Sequence, residues 1–323
     1  MIDALRQHTV AMASCFITRH LPGNALERVV AAGHSINVWP HRTPPSRDEL
    51  LGGASQADGL LCMLTDTIDS HLLDGSPNLQ VVSTMAVGCD NIDVAACAER
   101  GVAVGNTPGV LTDATADLTM ALLLALARKI PEGIADVRDG RWLTWEPQHL
   151  LGVELRDTVL GVIGAGRIGR AVATRAEGFG MKTIFSGRPG SDAAGVPLHE
   201  LLAESDVVTI HCPLTPDTEK MVNAAFLSAM KPTALLVNTA RGRIVDQSAL
   251  AAALHAGSIA GAALDVTEPE PLPTVDPLLS SPNLIVLPHL GSATNRTREA
   301  MANMAVDNLL AGLSGQPLPT PVQ

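Results

Sequence analysis

The chain has 323 residues, of which 46% are hydrophobic, but its aromatic residues are only four Phe and three Trp, with no Tyr. A chain of this length is expected to form about two domains, and the composition predicts aliphatic cores. A formal net charge of −11 and the scarcity of aromatic rings disfavour nucleic-acid binding, because that function needs basic surfaces or stacking platforms. Small molecules or proteins are therefore the expected partners.

The cysteines and the apolar runs indicate the cellular compartment. The cysteines are odd in number and form no CxxC pair: Cys15, Cys62, Cys89, Cys97 and Cys212. This pattern predicts reduced thiols and no metal site. The longest apolar run, residues 118–127, is shorter than the ~20 residues that span a bilayer, and residues 1–14 have no signal-peptide pattern. We therefore predict a cytoplasmic protein without membrane contact.

The first block of the chain alternates between short apolar strands and helical stretches. The predicted strands begin near Cys15, Ile36, Gly59, Leu79 and Gly101. Such alternation is typical of βαβ units that build a parallel sheet. A long Ala/Leu-rich helix then runs to about residue 128 and connects this block to the next.

A turn-rich segment over residues 139–152 follows the long helix and carries Trp142 and Trp145, so we predict an exposed arm. The strand–helix alternation then restarts. It ends in a helix over about 292–313, followed by a Pro-rich extended strap.

The simplest topology returns the last helix to the first block. We therefore predict the α/β class, with two Rossmann-like or flavodoxin-like domains built on parallel sheets. The substrate domain is expected to be discontinuous, over residues 1–103 plus 292–323. A dinucleotide-binding domain is expected over residues 104–291.

A glycine-rich turn marks the predicted nucleotide site. The buried-strand run 159–163 leads into Gly164, Gly166 and Gly169, with Arg167 and Ile168 between them, and a helix continues to about residue 178. In this setting the three glycines allow a tight turn, close approach of a pyrophosphate, and packing of helix on strand. The helix N-terminus offers N–H groups to the phosphates.

The end of the next predicted strand distinguishes between the two nicotinamide cofactors. An NAD site usually has an acidic residue there, but this chain has Ser186, Gly187 and Arg188. A serine hydroxyl and a guanidinium can both bind a 2′-phosphate, so NADPH is favoured and NADH remains possible. The alternative is that Arg188 is only a solvated loop charge.

Three ionisable residues follow late predicted strands: Arg241, Glu270 and His289. Because ligands of open α/β sheets bind at the carboxyl ends of the strands, we expect them beside the nicotinamide. Arg241 can bind a substrate carboxylate with two hydrogen bonds. His289 can donate a proton to the developing alkoxide, and Glu270, bonded to the imidazole, would favour its protonated form. Alternatively, each residue alone could be a surface, loop or packing residue.

Several further stretches match one known family. They are Ala86–Asp93, Asn106–Asp117, the glycine-rich turn, His211–Thr215, Asn238–Gly242, Leu264–Val266, Glu270–Pro271 and Pro288–Ser292. With these motifs the chain resembles the D-2-hydroxyacid dehydrogenases, and within them the glyoxylate/hydroxypyruvate reductases. The resemblance covers nearly everything from residue 15 onward.

The resemblance implies that Arg241, Glu270 and His289 form the catalytic set. It also implies that the backbone N–H groups of Val87 and Gly88 bind the substrate carboxylate, with Leu64 nearby, and that Asp265 holds the nicotinamide carboxamide. The remaining cofactor contacts that it implies are Thr112, His211, Cys212, Pro213, Thr239, Ala240 and Gly291.

Two positions concern substrate specificity. Trp145 lies where the reductases carry a tryptophan that crosses the dimer interface toward the partner's substrate pocket, and the alternative is a purely packing role. Thr267 departs from the family, which usually has an aromatic residue there, so looser packing behind Glu270 is expected.

The residues of the nucleotide site predict a preference for NADPH, and the resemblance implies a homodimeric reductase of glyoxylate and hydroxypyruvate that forms glycolate and D-glycerate. A broader 2-oxo acid reductase, for example of 2-ketogluconate, is the alternative among enzymes. Phosphoglycerate dehydrogenase is disfavoured because no regulatory domain follows residue 313. A nucleotide-sensing corepressor of the C-terminal-binding type shares the fold and is the alternative outside enzymes.

Overall fold

The computed structural model describes residues 12–186 and 195–322, which form two compact units. One unit contains the described residues up to Leu111 and those from Thr294 onward, and the other is Thr112–Ala293. The strands are β1 (Ser14–Ile17), β2 (Ser35–Val38), β3 (Gly59–Cys62), β4 (Val81–Thr84), β5 (Ala103–Gly105), β6 (Val159–Ile163), β7 (Lys182–Phe185), β8 (Val207–Ile210), β9 (Leu235–Asn238), β10 (Gly261–Leu264) and β11 (Leu284–Val286).

The helices alternate with these strands, and the last element of the chain is a helix. They are α1 (Ala25–Ala31), α2 (Arg47–Ala54), α3 (Ser70–Asp74), α4 (Val94–Glu99), α5 (Thr112–Ala127), α6 (Ile130–Arg138), α7 (Arg167–Glu177), α8 (Leu198–Glu204), α9 (Ala224–Ala229), α10 (Gln247–Ala256) and α11 (Asn295–Leu313). Two 3₁₀ turns, Gly242–Ile244 and Pro277–Ser280, lie among them.

The first unit is built on a five-stranded parallel sheet with the order β2-β1-β3-β4-β5. Residues such as Phe16, Leu60 and Val82 pack in a core on one face of the sheet. Helix α11 packs on β3, β4 and β5, where Ser83 Oγ donates to the Ala305 carbonyl at 2.8 Å. The final helix therefore belongs to the first unit.

The second unit is built on a six-stranded parallel sheet with the order β11-β10-β9-β8-β6-β7. Alternate residues of one strand face opposite sides of a sheet, so Leu236 lies in one core cluster while Leu235 and Val237 lie in another. Strands β8, β9 and β10 are buried along their whole length, as expected for a parallel sheet covered on both faces. These two sheets confirm the predicted fold class.

Each sheet has one place where the strand order reverses. In the first unit it lies between β1 and β3, and in the second between β6 and β8. Ligands of open α/β sheets bind outside the carboxyl ends of strands at such places. Among the described residues, no helix is both long enough and apolar enough to cross a membrane.

Candidate functional site

The glycine-rich turn joins β6 to α7 in the second unit. Gly164 has φ +105°, and a Cβ built there would lie 2.6 Å from the backbone N of Cys212, so this position requires glycine. A Cβ at Gly169 would lie 2.1 Å from the Gly164 carbonyl oxygen. A Cβ at Gly166 would meet no protein atom within 4 Å, so this side of the turn is open to a ligand.

The N-terminus of α7 fits a phosphate group. Gly166 is the N-cap and offers no side-chain cap, and the first helical hydrogen bond runs from Arg170 N to the Gly166 carbonyl at 3.0 Å. The N–H groups of the first turn, including those of Arg167 and Ile168, come before this bond in the chain and therefore have no acceptor within the helix. Together with the helix dipole they form an anion site of the kind that binds a dinucleotide pyrophosphate.

The loop after β8 lies against the glycine-rich turn and carries His211, Cys212 and Pro213. Burial lowers the pKa of His211 to about 3, and its Nε2 lies 2.9 Å from Thr209 Oγ1, so the ring is neutral near pH 7. Burial also raises the pKa of the Cys212 thiol to about 11. This loop therefore presents uncharged groups beside the predicted phosphate site.

The predicted 2′-phosphate contacts are described only in part. Ser186 is half-buried at the end of β7, where it forms a parallel bridge with Val196. Gly187 and Arg188 lie outside the described residues.

Arg241 lies on the turn after β9. The fully buried Asn238 fixes this turn, because its Nδ2 donates to the Arg241 carbonyl at 2.9 Å and its Oδ1 accepts from Ala240 N at 3.0 Å. Arg241 Nη1 donates to the Ala240 carbonyl at 2.8 Å. A Cβ at Gly242 would lie 1.9 Å from the Thr267 carbonyl oxygen, so the turn packs tightly on the segment that leads to Glu270.

Glu270 and His289 form a hydrogen-bonded pair. His289 Nδ1 lies 2.9 Å from Glu270 Oε2, and Glu270 Oε1 accepts from Thr267 N at 3.1 Å. Thr267 is 6% exposed, and its hydroxyl donates to the Pro269 carbonyl at 2.9 Å. Within residues 12–186 and 195–322, His289 Nε2 makes no hydrogen bond, so this nitrogen is left for a ligand.

Asp265 holds the turn on which His289 lies. Its Oδ1 accepts from Leu290 N at 2.6 Å, its Oδ2 accepts from Gly291 N at 2.7 Å, and its carbonyl accepts from His289 N at 2.9 Å. Burial raises the pKa of Asp265, while the two N–H donors oppose that rise. These contacts support His289 in its left-handed conformation, with φ +57°. The family resemblance implies only a cofactor contact for Asp265, and this positioning role was not predicted.

Other predicted cofactor residues lie around the same strand ends. Thr239 is buried, with its hydroxyl 3.0 Å from that of Thr119, and Ala240 is half-buried. Thr112 begins α5. Thr115 Oγ1 donates to the Gly291 carbonyl at 3.2 Å.

The first unit presents backbone groups after β4. Val87 and Leu64 are among its exposed apolar residues, and Gly88 is half-buried. Among the described residues, the N–H groups of Val87 and Gly88 have no protein acceptor. Two adjacent backbone donors can bind the two oxygens of a carboxylate.

The loop after β3, which carries Leu64, is tied to the loop after β4. The buried carboxylate of Asp66 accepts from Thr18 Oγ1 at 2.5 Å and from Met63 N at 2.7 Å. Asn91 Nδ2 then donates to the carbonyls of Met63 at 3.1 Å and Asp66 at 2.7 Å. The positioning roles of Asp66 and Asn91 were not predicted from the sequence.

The arm in the second unit is exposed, as its composition predicts. Trp145 is 79% exposed and Leu143 is 87% exposed. Asp136 anchors the arm by accepting from Arg141 Nε at 2.7 Å and pairing with His149 Nε2 at 2.8 Å. The hydrogen bond from Arg141 lowers the pKa of Asp136.

Comparisons with known proteins bear on this site. The model of the family described as "D-isomer specific 2-hydroxyacid dehydrogenase, NAD binding domain" matches residues 120–291. The chain is 44% identical to the glyoxylate reductase/hydroxypyruvate reductase of Homo sapiens, over 96% of this chain and 98% of that protein.

Two solved structures are similar along the whole chain. A protein from Thermus thermophilus is 48% identical with a TM-score of 0.89, over 96% of this chain and 100% of that chain. An NADPH-dependent glyoxylate/hydroxypyruvate reductase from Sinorhizobium meliloti, solved with NADP and malonate, is 35% identical with a TM-score of 0.83. That similarity covers 97% of both chains.

Proposed function

The chain belongs to the family of D-isomer specific 2-hydroxyacid dehydrogenases, and from that premise we propose that it reduces glyoxylate to glycolate and hydroxypyruvate to D-glycerate. The observation that carries this proposal is the 2.9 Å contact between His289 Nδ1 and Glu270 Oε2. It engages one imidazole nitrogen with a carboxylate and leaves the other for the substrate. Relatives named for glyoxylate and hydroxypyruvate support the choice of substrates.

Each residue of the site has a separate role in such a reduction. Bound at the glycine-rich turn, a nicotinamide cofactor supplies the hydride. The Arg241 guanidinium binds the substrate carboxylate and polarises the neighbouring carbonyl. His289 Nε2 donates a proton to the oxygen that becomes the alkoxide, and Glu270, which contacts Nδ1, orients the imidazole. In the first unit, the N–H groups of Val87 and Gly88 offer two backbone donors to a carboxylate.

The proposal includes a preference for NADPH over NADH. This preference rests on Ser186 and Arg188, which follow β7 where an NAD site usually has an acidic residue. Such an acidic residue would repel the 2′-phosphate of NADPH. We expect Arg188→Ala to raise the KM for NADPH about tenfold and to leave the KM for NADH nearly unchanged, because only NADPH loses a charge-assisted hydrogen bond. Equal changes in both KM values would contradict the preference.

A substrate panel tests the reaction itself. With each cofactor, kcat/KM is measured for glyoxylate, hydroxypyruvate, pyruvate and 2-ketogluconate, and we expect the first two substrates with NADPH to give the highest values. A higher value for 2-ketogluconate would favour the broader reductase. No turnover of any 2-oxo acid would favour the nucleotide-sensing alternative.

We also propose a homodimer formed through the arm. Large apolar residues are exposed along it, including Trp142, Leu143, Trp145 and Leu151. Such a patch marks an interface, and a second copy of the chain is the partner that the family resemblance implies. We expect Leu143→Asp to give monomers in sedimentation experiments. Val275→Asp, at a residue that is equally exposed at 87% on another loop, should remain dimeric.

A further inference from the structure

The directions of the Val87 and Gly88 N–H groups are fixed by two residues that directly follow β5. Asn106 Nδ2 donates to the Val87 carbonyl at 2.8 Å, and Thr107 N donates to the Ala86 carbonyl at 2.8 Å. In a planar trans peptide, the carbonyl and the following N–H point in opposite directions. The bond from Asn106 therefore orients Gly88 N–H, and the bond from Thr107 orients Val87 N–H.

Asn106 is in turn held by the end of the chain. Its carbonyl accepts from Asn308 Nδ2 at 2.9 Å and from Thr320 Oγ1 at 2.6 Å, and its N donates to the Thr320 carbonyl at 3.2 Å. Asn308 is fully buried on α11 and accepts from Thr320 N at 3.0 Å. A continuous set of hydrogen bonds thus runs from the strap after α11 to the Val87 carbonyl.

We propose that Asn106 is a positioning residue for substrate binding, which aims the Gly88 N–H at the substrate carboxylate and is itself held by Asn308 and Thr320. The inference rests on the proposed function, because it takes the carboxylate of a 2-oxo acid as the acceptor. A donor that is already oriented in the free protein loses little freedom when the substrate binds. Asn106 acts through the backbone and does not touch the reacting atoms.

The contacts of Asn106 allow a selective variant. Its side chain makes the bond to Val87, whereas Asn308 and Thr320 bind its main chain, so Asn106→Ala removes the orienting bond and keeps the others. We expect the KM for glyoxylate to rise about tenfold, as for the loss of one hydrogen bond in the substrate site. The kcat and the KM for NADPH should stay near their wild-type values, because the carboxylate is held alike in ground and transition states.

Two results would overturn the inference. One is an unchanged KM for glyoxylate, and the other is an equal rise in the KM values for glyoxylate and NADPH, which would indicate general loosening of the fold. If Asn106→Ala does not fold, the KM for glyoxylate is compared between Thr320→Val and Thr320→Ser. Valine removes the hydroxyl that binds Asn106 and should raise the KM for glyoxylate, while serine keeps the hydroxyl and should not. Equal KM values for the pair would also overturn it.

Binding of oxamate separates this inference from the proposed function. Oxamate is an unreactive carboxylate analogue, and its Kd can be measured by calorimetry on protein saturated with NADP⁺. If the wild-type protein reduces no 2-oxo acid, the proposed function fails, but Asn106→Ala should still weaken oxamate binding about tenfold. An oxamate Kd that is unchanged by Asn106→Ala would refute the positioning role.

Discussion

The two units present different chemical groups at the carboxyl ends of their strands. The second unit presents ionisable side chains, namely Arg241, Glu270 and His289, each held by loop contacts. The first unit presents the backbone N–H groups of Val87 and Gly88, which Thr107 N and Asn106 Nδ2 orient through the preceding carbonyls. Side chains fix the loop backbone in both units: Asn238 and Asp265 do so in the second unit, and Asn106 does so in the first.

Because the two units present different groups, substitutions in them should affect different kinetic constants. Only a substitution by proline removes a backbone N–H, and it also fixes φ, so the first unit is best altered through the residues that orient these groups. Substitutions in the second unit remove charges or protons directly. We therefore expect kcat to respond mainly to the second unit and the KM for the 2-oxo acid to respond mainly to the first.

The largest effect is expected from His289→Asn. Loss of the proton donor should lower kcat about 10²- to 10⁴-fold, the usual contribution of general acid–base catalysis. Steady-state kinetics with glyoxylate measures kcat, and NADPH binding followed by its fluorescence serves as the folding control. A kcat near the wild-type value would remove His289 from the chemistry.

A smaller effect is expected from Arg241→Lys. Lysine keeps the charge but cannot bind a carboxylate with two parallel hydrogen bonds, so kcat/KM for glyoxylate should fall about 10- to 150-fold, equivalent to about 1.5–3 kcal/mol. Arg243→Lys is the matched control, because Arg243 is an exposed arginine on the same turn, with Nη2 2.8 Å from Glu219 Oε1. Similar losses in both variants would show that charge on the turn, not the geometry of Arg241, matters.

The smallest effect is expected from Asn91→Ala in the first unit. Removing the two bonds that tie the loop after β3 should raise the KM for glyoxylate about two- to fivefold and leave kcat unchanged, because water can replace part of the lost bonding. Asn303→Ala, which removes a surface amide that donates to the Glu299 carbonyl, is the control. A fall in kcat for Asn91→Ala would break the proposed division between the units.

The sequence predicts those parts of the fold and site that depend on local pattern. Buried parallel strands are short apolar runs that end in polar residues, so the positions of Gly164, Arg241 and His289 after their strands follow from the sequence. The family membership that these motifs predict is confirmed by the match over residues 120–291. Strand β8 was not among the strands predicted from the sequence, although Val207–Ile210 is a run of four β-branched residues, which favours a strand.

The positioning residues could not be predicted because their contacts are distant in sequence. Asn106 is 19 residues from its partner Val87, and Asn91 is 28 residues from Met63. In a sequence, a loop asparagine indicates only a turn. The contacts of Asp265 with Leu290 and Gly291 likewise form only because β10 and β11 pair in the sheet and bring the loops after them together. Only the folded chain brings these groups together.

The place of α11 affects the order in which the cores can form during synthesis. A Cβ at Gly312 would lie 2.6 Å from Val81, and one at Gly59 would lie 2.7 Å from Leu309, so α11 covers one face of β3 and β4 closely. At about 5–20 residues per second, the ribosome reaches α11 roughly 10–45 s after it has made β4. All residues of the second unit are synthesised in that interval. The unit whose sequence begins first is therefore the one whose core is completed last.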